Sequence, residues 1–176
     1  MNRTYSSETP IVVTSCEQTE IVHWCRKNVQ YFKMTGHHRF MQLLNYFDDV
    51  PPCIWDIKQK IVDIEQLSQY EQEPMFKDAI GYMVDGGALH LHKDSNPSES
   101  NLIHVRYNVY VQIPHEGGIP VYDGVECGLR ERSYICCRSG IDPHYCTTVH
   151  GLRERVVLSF GFLMPSERIS HITYAY

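Results

Sequence analysis

From Ala79 onward the chain is written in short alternating runs, and this bounds the fold more tightly than any other feature. Segments 79–84 (AIGYMV), 88–92 (ALHLH), 103–113 (IHVRYNVYVQI), 119–122 (IPVY), 133–138 (SYICCR) and 155–163 (RVVLSFGFL) are rich in β-branched and aromatic residues and are divided by Gly, Asp, Asn and Pro. That many short strands in under 100 residues predict an antiparallel β unit of the jelly-roll or small-barrel kind. Before Ala79 the period is helical. Residues 16–33 place Ile21, Trp24, Cys25, Val29 and Phe32 on one face behind Thr14 or Ser15 as cap. Residues 56–70 place Ile57, Ile61, Ile64 and Leu67 likewise, and a further helix is predicted within 37–48 (HHRFMQLLNYFD), ahead of Pro51-Pro52. The expected architecture is therefore mostly β, a single domain over 1–176 with a helical support region at 1–78 and the β core at 79–164.

Composition narrows the function classes. A net charge of −5 with scattered Lys and Arg offers no basic field, so nucleic acid is not an expected partner. The first residues lack the charged-then-apolar shape of a signal peptide, and no apolar run approaches the roughly 18 residues of a membrane span. Seven cysteines, an odd number at irregular spacing, argue against a disulfide framework. A cytoplasmic, reducing location is the expectation, with most of the cysteines acting as small buried hydrophobes.

The chemistry gathers in ALHLHKD, residues 88–94. In an extended chain His90, His92 and Asp94 project to one side and Leu89, Leu91 and Lys93 to the other, which makes the row either a wet strand edge or a metal site. Strand 103–113 repeats the theme. His104, Arg106, Asn108, Tyr110 and Gln112 face one way against Val105, Tyr107, Val109, Val111 and Ile113, giving either a solvated face or the wall of a polar pocket. Gly117-Gly118 then allows a tight turn and a close backbone approach. Downstream follow His144 and His150 as candidate histidines, then Arg153 and Arg155 at the head of the last strand.

The order H-x-D, polar strand, Gly-Gly, His, Arg resembles that of the Fe(II)/2-oxoglutarate-dependent oxygenases, and within them the prolyl-4-hydroxylase-like branch, over roughly residues 78–164. The resemblance implies a double-stranded β-helix, a cupin-like jelly roll backed by N-terminal helices. It also implies a metal set of two histidines and one carboxylate, a geometry that leaves open positions on Fe(II) for 2-oxoglutarate and O₂. His92 and Asp94 would be the first two ligands, with His90 beside them. His144 is favoured over His150 as the distal ligand because it lies nine residues before Arg153 and eleven before Arg155, the family spacing. Arg155, followed by Val156, Val157, Leu158 and Ser159, matches the family pattern for the arginine that holds the 5-carboxylate of 2-oxoglutarate better than Arg153 does. A guanidinium suits that task because it offers two parallel hydrogen bonds. Ser159, Tyr110, Asn108 and Tyr82 are the remaining candidates for contact with 2-oxoglutarate.

What the resemblance implies is hydroxylation coupled to release of succinate and CO₂, with ascorbate as an accessory reductant. Asp94 fills the position a halide would need, which disfavours halogenation. A peptidyl, first of all prolyl, residue is the leading substrate class and a small metabolite the next, selected by loops 95–102 and 123–132. Two rivals remain open. One is a structural zinc site from Cys136, Cys137, His144, Cys146 and His150, whose spacing departs from the usual knuckle. The other is a cupin-like module that binds a sugar or small acid without oxidising it.

Overall fold

Two sheets of unequal size face each other across a cavity, and two helices cover the outer side of the larger one. The computed structural model describes residues 3–5, 8–98 and 101–175. The elements in chain order are β1 (Arg3–Tyr5), α1 (Ser15–Asn28), β2 (Lys33–Gly36), β3 (Arg39–Leu43), α2 (Cys53–Glu65), β4 (Asp78–Met83), β5 (Leu89–His92) and β6 (Leu102–Gln112). After these come β7 (Pro120–Tyr122), β8 (Val125–Glu126), β9 (Tyr134–Cys137), β10 (His144–Cys146), β11 (Arg155–Pro165), α3 (Ser166–Ile169) and β12 (Ile172–Tyr174). The larger sheet runs β2-β3-β4-β11-β6-β9, the smaller β5-β10-β7-β8, and β1 pairs with β12. Among the described residues no helix is long and apolar enough to cross a membrane.

Helix α1 starts where a cap is available. The Thr14 hydroxyl accepts the Glu17 N–H while the Glu17 carboxylate accepts the Thr14 N–H, which satisfies two end donors reciprocally. Its Ile21, Trp24 and Cys25 join Ile54, Ile57 and Ile61 of α2 against Val109, Val156, Leu158 and Phe160 of the sheet, in one continuous apolar cluster. Helix α2 begins at Cys53, just after the Pro51-Pro52 pair, and stops at Glu65, earlier than its periodicity suggests. Gln66 turns left-handed at φ 56° and ends it, so Leu67 is buried from a turn and Ile64 is left largely exposed.

The predicted helix within 37–48 is instead the hairpin β2–β3 and a short 3₁₀ turn at 44–46. Its pairing partner is β4, some 40 residues downstream, so the signal is non-local. With β3 in place, β4 is an interior strand rather than an edge with unpaired backbone. The segment 1–78 is thus not purely helical. A second correction concerns β6. Val156 pairs with Gln112 and Val157 with Tyr110, so Val111 is an extra residue and the strand bulges there. The bulge moves Gln112 to the helix side, away from the face shared by Arg106, Asn108 and Tyr110; its side chain donates to Glu154 at 3.1 Å.

Glu154 ties helix to sheet. Its carboxylate accepts from Arg26 on α1 twice at 2.9 Å, from the Tyr82 hydroxyl at 2.8 Å and from Gln112. The Arg26 pairing, first among its contacts, holds its pKa down to about 2. A carboxyl depressed below its unfolded value near 4.3 stabilises the fold above that value, and the contribution fades as pH falls toward 2. Because Arg26 is more than half exposed, the pairing should contribute only about 1 kcal/mol. Glu154→Gln is expected to lower the urea midpoint at pH 7, and the gap to wild type should close between about pH 5 and 2.

Candidate metal centre

The cavity between the sheets, about 450 Å³, is lined from the larger sheet by Arg39, Met41, Gly81, Arg106, Asn108, Arg155 and Ser159, and from the smaller by His92, Tyr122 and His144, with Asp94 just past β5. Backbone register sets the centre of this site. His144 on β10 is paired directly with His92 on β5 and with Tyr122 on β7, so the three side chains share one row. The His92 and His144 rings are 4.2 Å apart, and ligand atoms of His92, Asp94 and His144 all lie within 4.8 Å of one another. Asp94 follows His92 by two residues and is anchored by its own N–H, which donates to the Ser139 carbonyl at 2.8 Å.

Each donor is oriented for coordination. Nδ1 of His92 lies 2.8 Å from the His90 carbonyl, and Nδ1 of His144 lies 3.0 Å from the Asp142 carbonyl. A carbonyl can only accept, so both Nδ1 atoms carry the proton and both Nε2 lone pairs are free for a metal. Burial lowers the pKa of His144, which keeps that imidazole neutral as a metal requires. Asp94 points one carboxylate oxygen toward His92, 3.7 Å from its Nε2. The other oxygen lies 3.6 Å from both Nδ1 of His104 and Nε of Arg106. Two imidazoles and one carboxylate form the donor set that borderline and hard divalent ions accept while leaving positions open, so these residues fit an Fe(II)-type ion.

The remaining sequence candidates fall into two groups. Arg155 is buried in the cavity wall, its Nε–H donating to the Gly118 carbonyl at 2.9 Å and its guanidinium 5.3 Å from the Tyr110 ring centre. Gly118 is required for this approach. It adopts φ 65°, and a Cβ there would come within 3.0 Å of the Arg155 side chain. Ser159 donates to Asn108 at 2.6 Å on the same face, and the Tyr110 hydroxyl is 3.1 Å from that of Tyr122. Arg153 and Tyr82 are not brought to the cavity. Arg153 is paired with Glu131 at 2.8 Å on the outside, and Tyr82 faces α1, where it donates to Glu154. His150 is exposed, with its backbone bridged to Glu116, whereas His90 is exposed at the cavity rim.

Among the described residues His92, Asp94 and His144 are the only group of three such side chains close enough to share an ion. The cysteine-based zinc arrangement does not form. None of the described residues of loops 95–102 and 123–132 lines the cavity, and residues 99 and 100 lie outside the described residues. The outer wall is supplied instead by Thr35, Gly36, Arg39 and Met41 of the hairpin and by Phe76. Sequence reasoning also missed Tyr122, whose three-residue strand is too short for a visible alternation, and Glu73. The buried Glu73 carboxylate backs Arg106 at 3.1 Å and accepts the N–H groups of Met75, Phe76 and Lys77.

No protein-family model matches the sequence, and no curated protein does. Solved structures do. A viral collagen prolyl hydroxylase from Paramecium Bursaria Chlorella virus-1, in a 2-oxoglutarate (2OG) complex, superposes with a TM-score of 0.64 at 12% identity, covering 87% of this chain and 91% of that one. This chain has the fold of that hydroxylase. A Pseudomonas putida prolyl-4-hydroxylase gives 0.62 at 17% identity over 88% of this chain and 89% of that one. HygX from Streptomyces hygroscopicus, with nickel and 2-oxoglutarate bound, gives 0.60 at 11% over 89% and 81%.

Proposed function

We propose that the chain is a 2-oxoglutarate-dependent Fe(II) oxygenase of the prolyl-4-hydroxylase-like branch, its two sheets forming a double-stranded β-helix. It would hydroxylate a peptidyl residue, first of all prolyl, or a small-molecule substrate with release of succinate and CO₂. The observation that carries the reading is the opening of the His92, Asp94 and His144 donors onto the same cavity as a buried arginine, Arg155, that has no carboxylate partner among the described residues. The fold shared with 2-oxoglutarate-binding structures supports it.

In this reading His92, Asp94 and His144 hold the ion, which when bound supplies the redox chemistry that couples O₂ to the breakdown of 2-oxoglutarate and to hydroxylation of a C–H bond. Arg155 receives the distal carboxylate of 2-oxoglutarate. Its Nε–H is already committed to Gly118, which fixes the guanidinium plane, and its terminal nitrogens would meet the ligand beside the Tyr110 hydroxyl. Tyr110 supports that guanidinium from beneath, while Tyr122, held between Tyr110 and Asn108 at 3.1 and 3.0 Å, borders His144 and the cosubstrate space. Burial of these groups excludes water and strengthens each polar contact.

Incubation with Fe(II), 2-oxoglutarate, ascorbate and O₂ should yield succinate even without a prime substrate, and a weak visible charge-transfer band should appear when Fe(II) and 2-oxoglutarate are mixed with the protein anaerobically. Neither signal appearing would leave a cupin-like binding module in its place. A mass screen for gain of one oxygen across peptides and amino acids would then identify the substrate.

A further inference from the structure

Among the described residues, Arg39 is the one arginine of the cavity that neither a protein carboxylate nor the proposed cosubstrate accounts for. It lies on β3 in register with Met83, which pairs in turn with Arg155, so Arg39 and Arg155 stand in one row two strands apart, about 10 Å by sheet spacing. Arg106 has Glu73, Arg153 has Glu131, Arg138 has Asp142 and Arg26 has Glu154. Among the described residues Arg39 has only the Thr35 hydroxyl, at 2.7 Å from one terminal nitrogen, and its Nε is buried with no hydrogen-bond partner. Burial, the largest influence, lowers its pKa and Arg155 acts in the same direction, against smaller opposing pulls from Cys146 and Asp94, as for a partly desolvated cation with no carboxylate in contact.

The charge balance sharpens this. Among the described residues the cavity's three guanidinium groups, Arg39, Arg106 and Arg155, are set against two carboxylates, Asp94 in the lining and Glu73 behind Arg106, leaving one positive charge. A divalent ion and dianionic 2-oxoglutarate cancel each other, so the surplus stays with Arg39. A half-buried guanidinium whose Nε is buried without a partner is costly, and a planar anion is a partner that satisfies it. Around it Met41, Phe76 and Leu89 offer an apolar rim for the body of a small ligand.

We propose that the substrate carries a carboxylate and that Arg39 selects it; this deepens the oxygenase reading and rests on it. The carboxylate can belong to a free amino or organic acid or to the C-terminus of a peptide, and the test separates these sources.

The probes are free amino acids, short peptides ending in the same residues, and the C-terminal amide of each, assayed for stimulation of 2-oxoglutarate turnover and gain of one oxygen. Acids of one arm should stimulate with a kcat/KM at least about tenfold above their amides, the scale of a buried charge pair. Arg39→Gln should abolish the preference, Arg39→Lys should restore part of it, and the KM for 2-oxoglutarate should rise less in Arg39→Gln than in Arg155→Ala. Amides as effective as acids, no acid of either arm stimulating, an acid preference that survives in Arg39→Gln, or a 2-oxoglutarate KM raised as much as by Arg155→Ala would each overturn the assignment. Absence of both uncoupled turnover and the charge-transfer band in the wild type would sink the oxygenase reading itself, whereas uncoupled turnover without acid preference would sink only the role of Arg39.

Discussion

Asp94→Ala is expected to take succinate formation to background while the protein remains folded. The carboxylate is the only anionic donor among the three metal candidates, so its loss removes both a ligand and the charge that offsets a divalent ion. The fold should tolerate the change because the groups behind Asp94 keep other partners. Arg106 retains Glu73 at 3.1 Å and Ser159 at 3.2 Å. A direct measurement is Fe(II) or Ni(II) affinity by anaerobic titration beside the thermal midpoint. Weakened metal binding with an unchanged metal-free midpoint is the expected pair of results, and full turnover in Asp94→Ala would refute the site.

Arg155→Ala should raise the KM for 2-oxoglutarate by about 30-fold to 1000-fold, because a buried bidentate charge pair broken on one side costs about 2–4 kcal/mol. Arg153→Ala should change it by no more than about twofold, since that guanidinium is spent on Glu131 and the Ile113 carbonyl. The two arginines lie two residues apart, Arg153 in the bend before β11 and Arg155 at its first residue, so the comparison isolates direction rather than charge. The opposite ranking would move the carboxylate clamp to Arg153 and require a different cavity.

Much of this arrangement was legible before any coordinates. Strands β4, β5, β6, β9 and β11 announce themselves by period-two alternation or by short β-branched runs, and H-x-D on a strand places two side chains on one side by geometry alone. What escaped was non-local. Residues 39–43 read equally well as one turn of helix or as a strand, and only pairing with β4 decides, since Arg39 and Met41 then line the cavity while Phe40 meets Tyr82 in the core. The bulge at Val111 is likewise invisible in an unbroken alternating run, because it is set by the register of β11 opposite. Tyr82 and Arg153 were candidates on residue type and position, and each faces away because its carboxylate partner, Glu154 or Glu131, lies on the other side of the sheet or at its edge.

The pairing of His92 with His144 across β5 and β10 has one more implication. The two strands are four and three residues long, and their ladder is interrupted by a register shift directly after His144. So short a ladder has few hydrogen bonds to hold it closed, whereas an ion gripping one histidine from each strand, plus the acid just past the end of β5, would rivet them together. Fraying of this corner and release of the ion would then be a single event, so that loading the metal and finishing the fold are two descriptions of the same equilibrium.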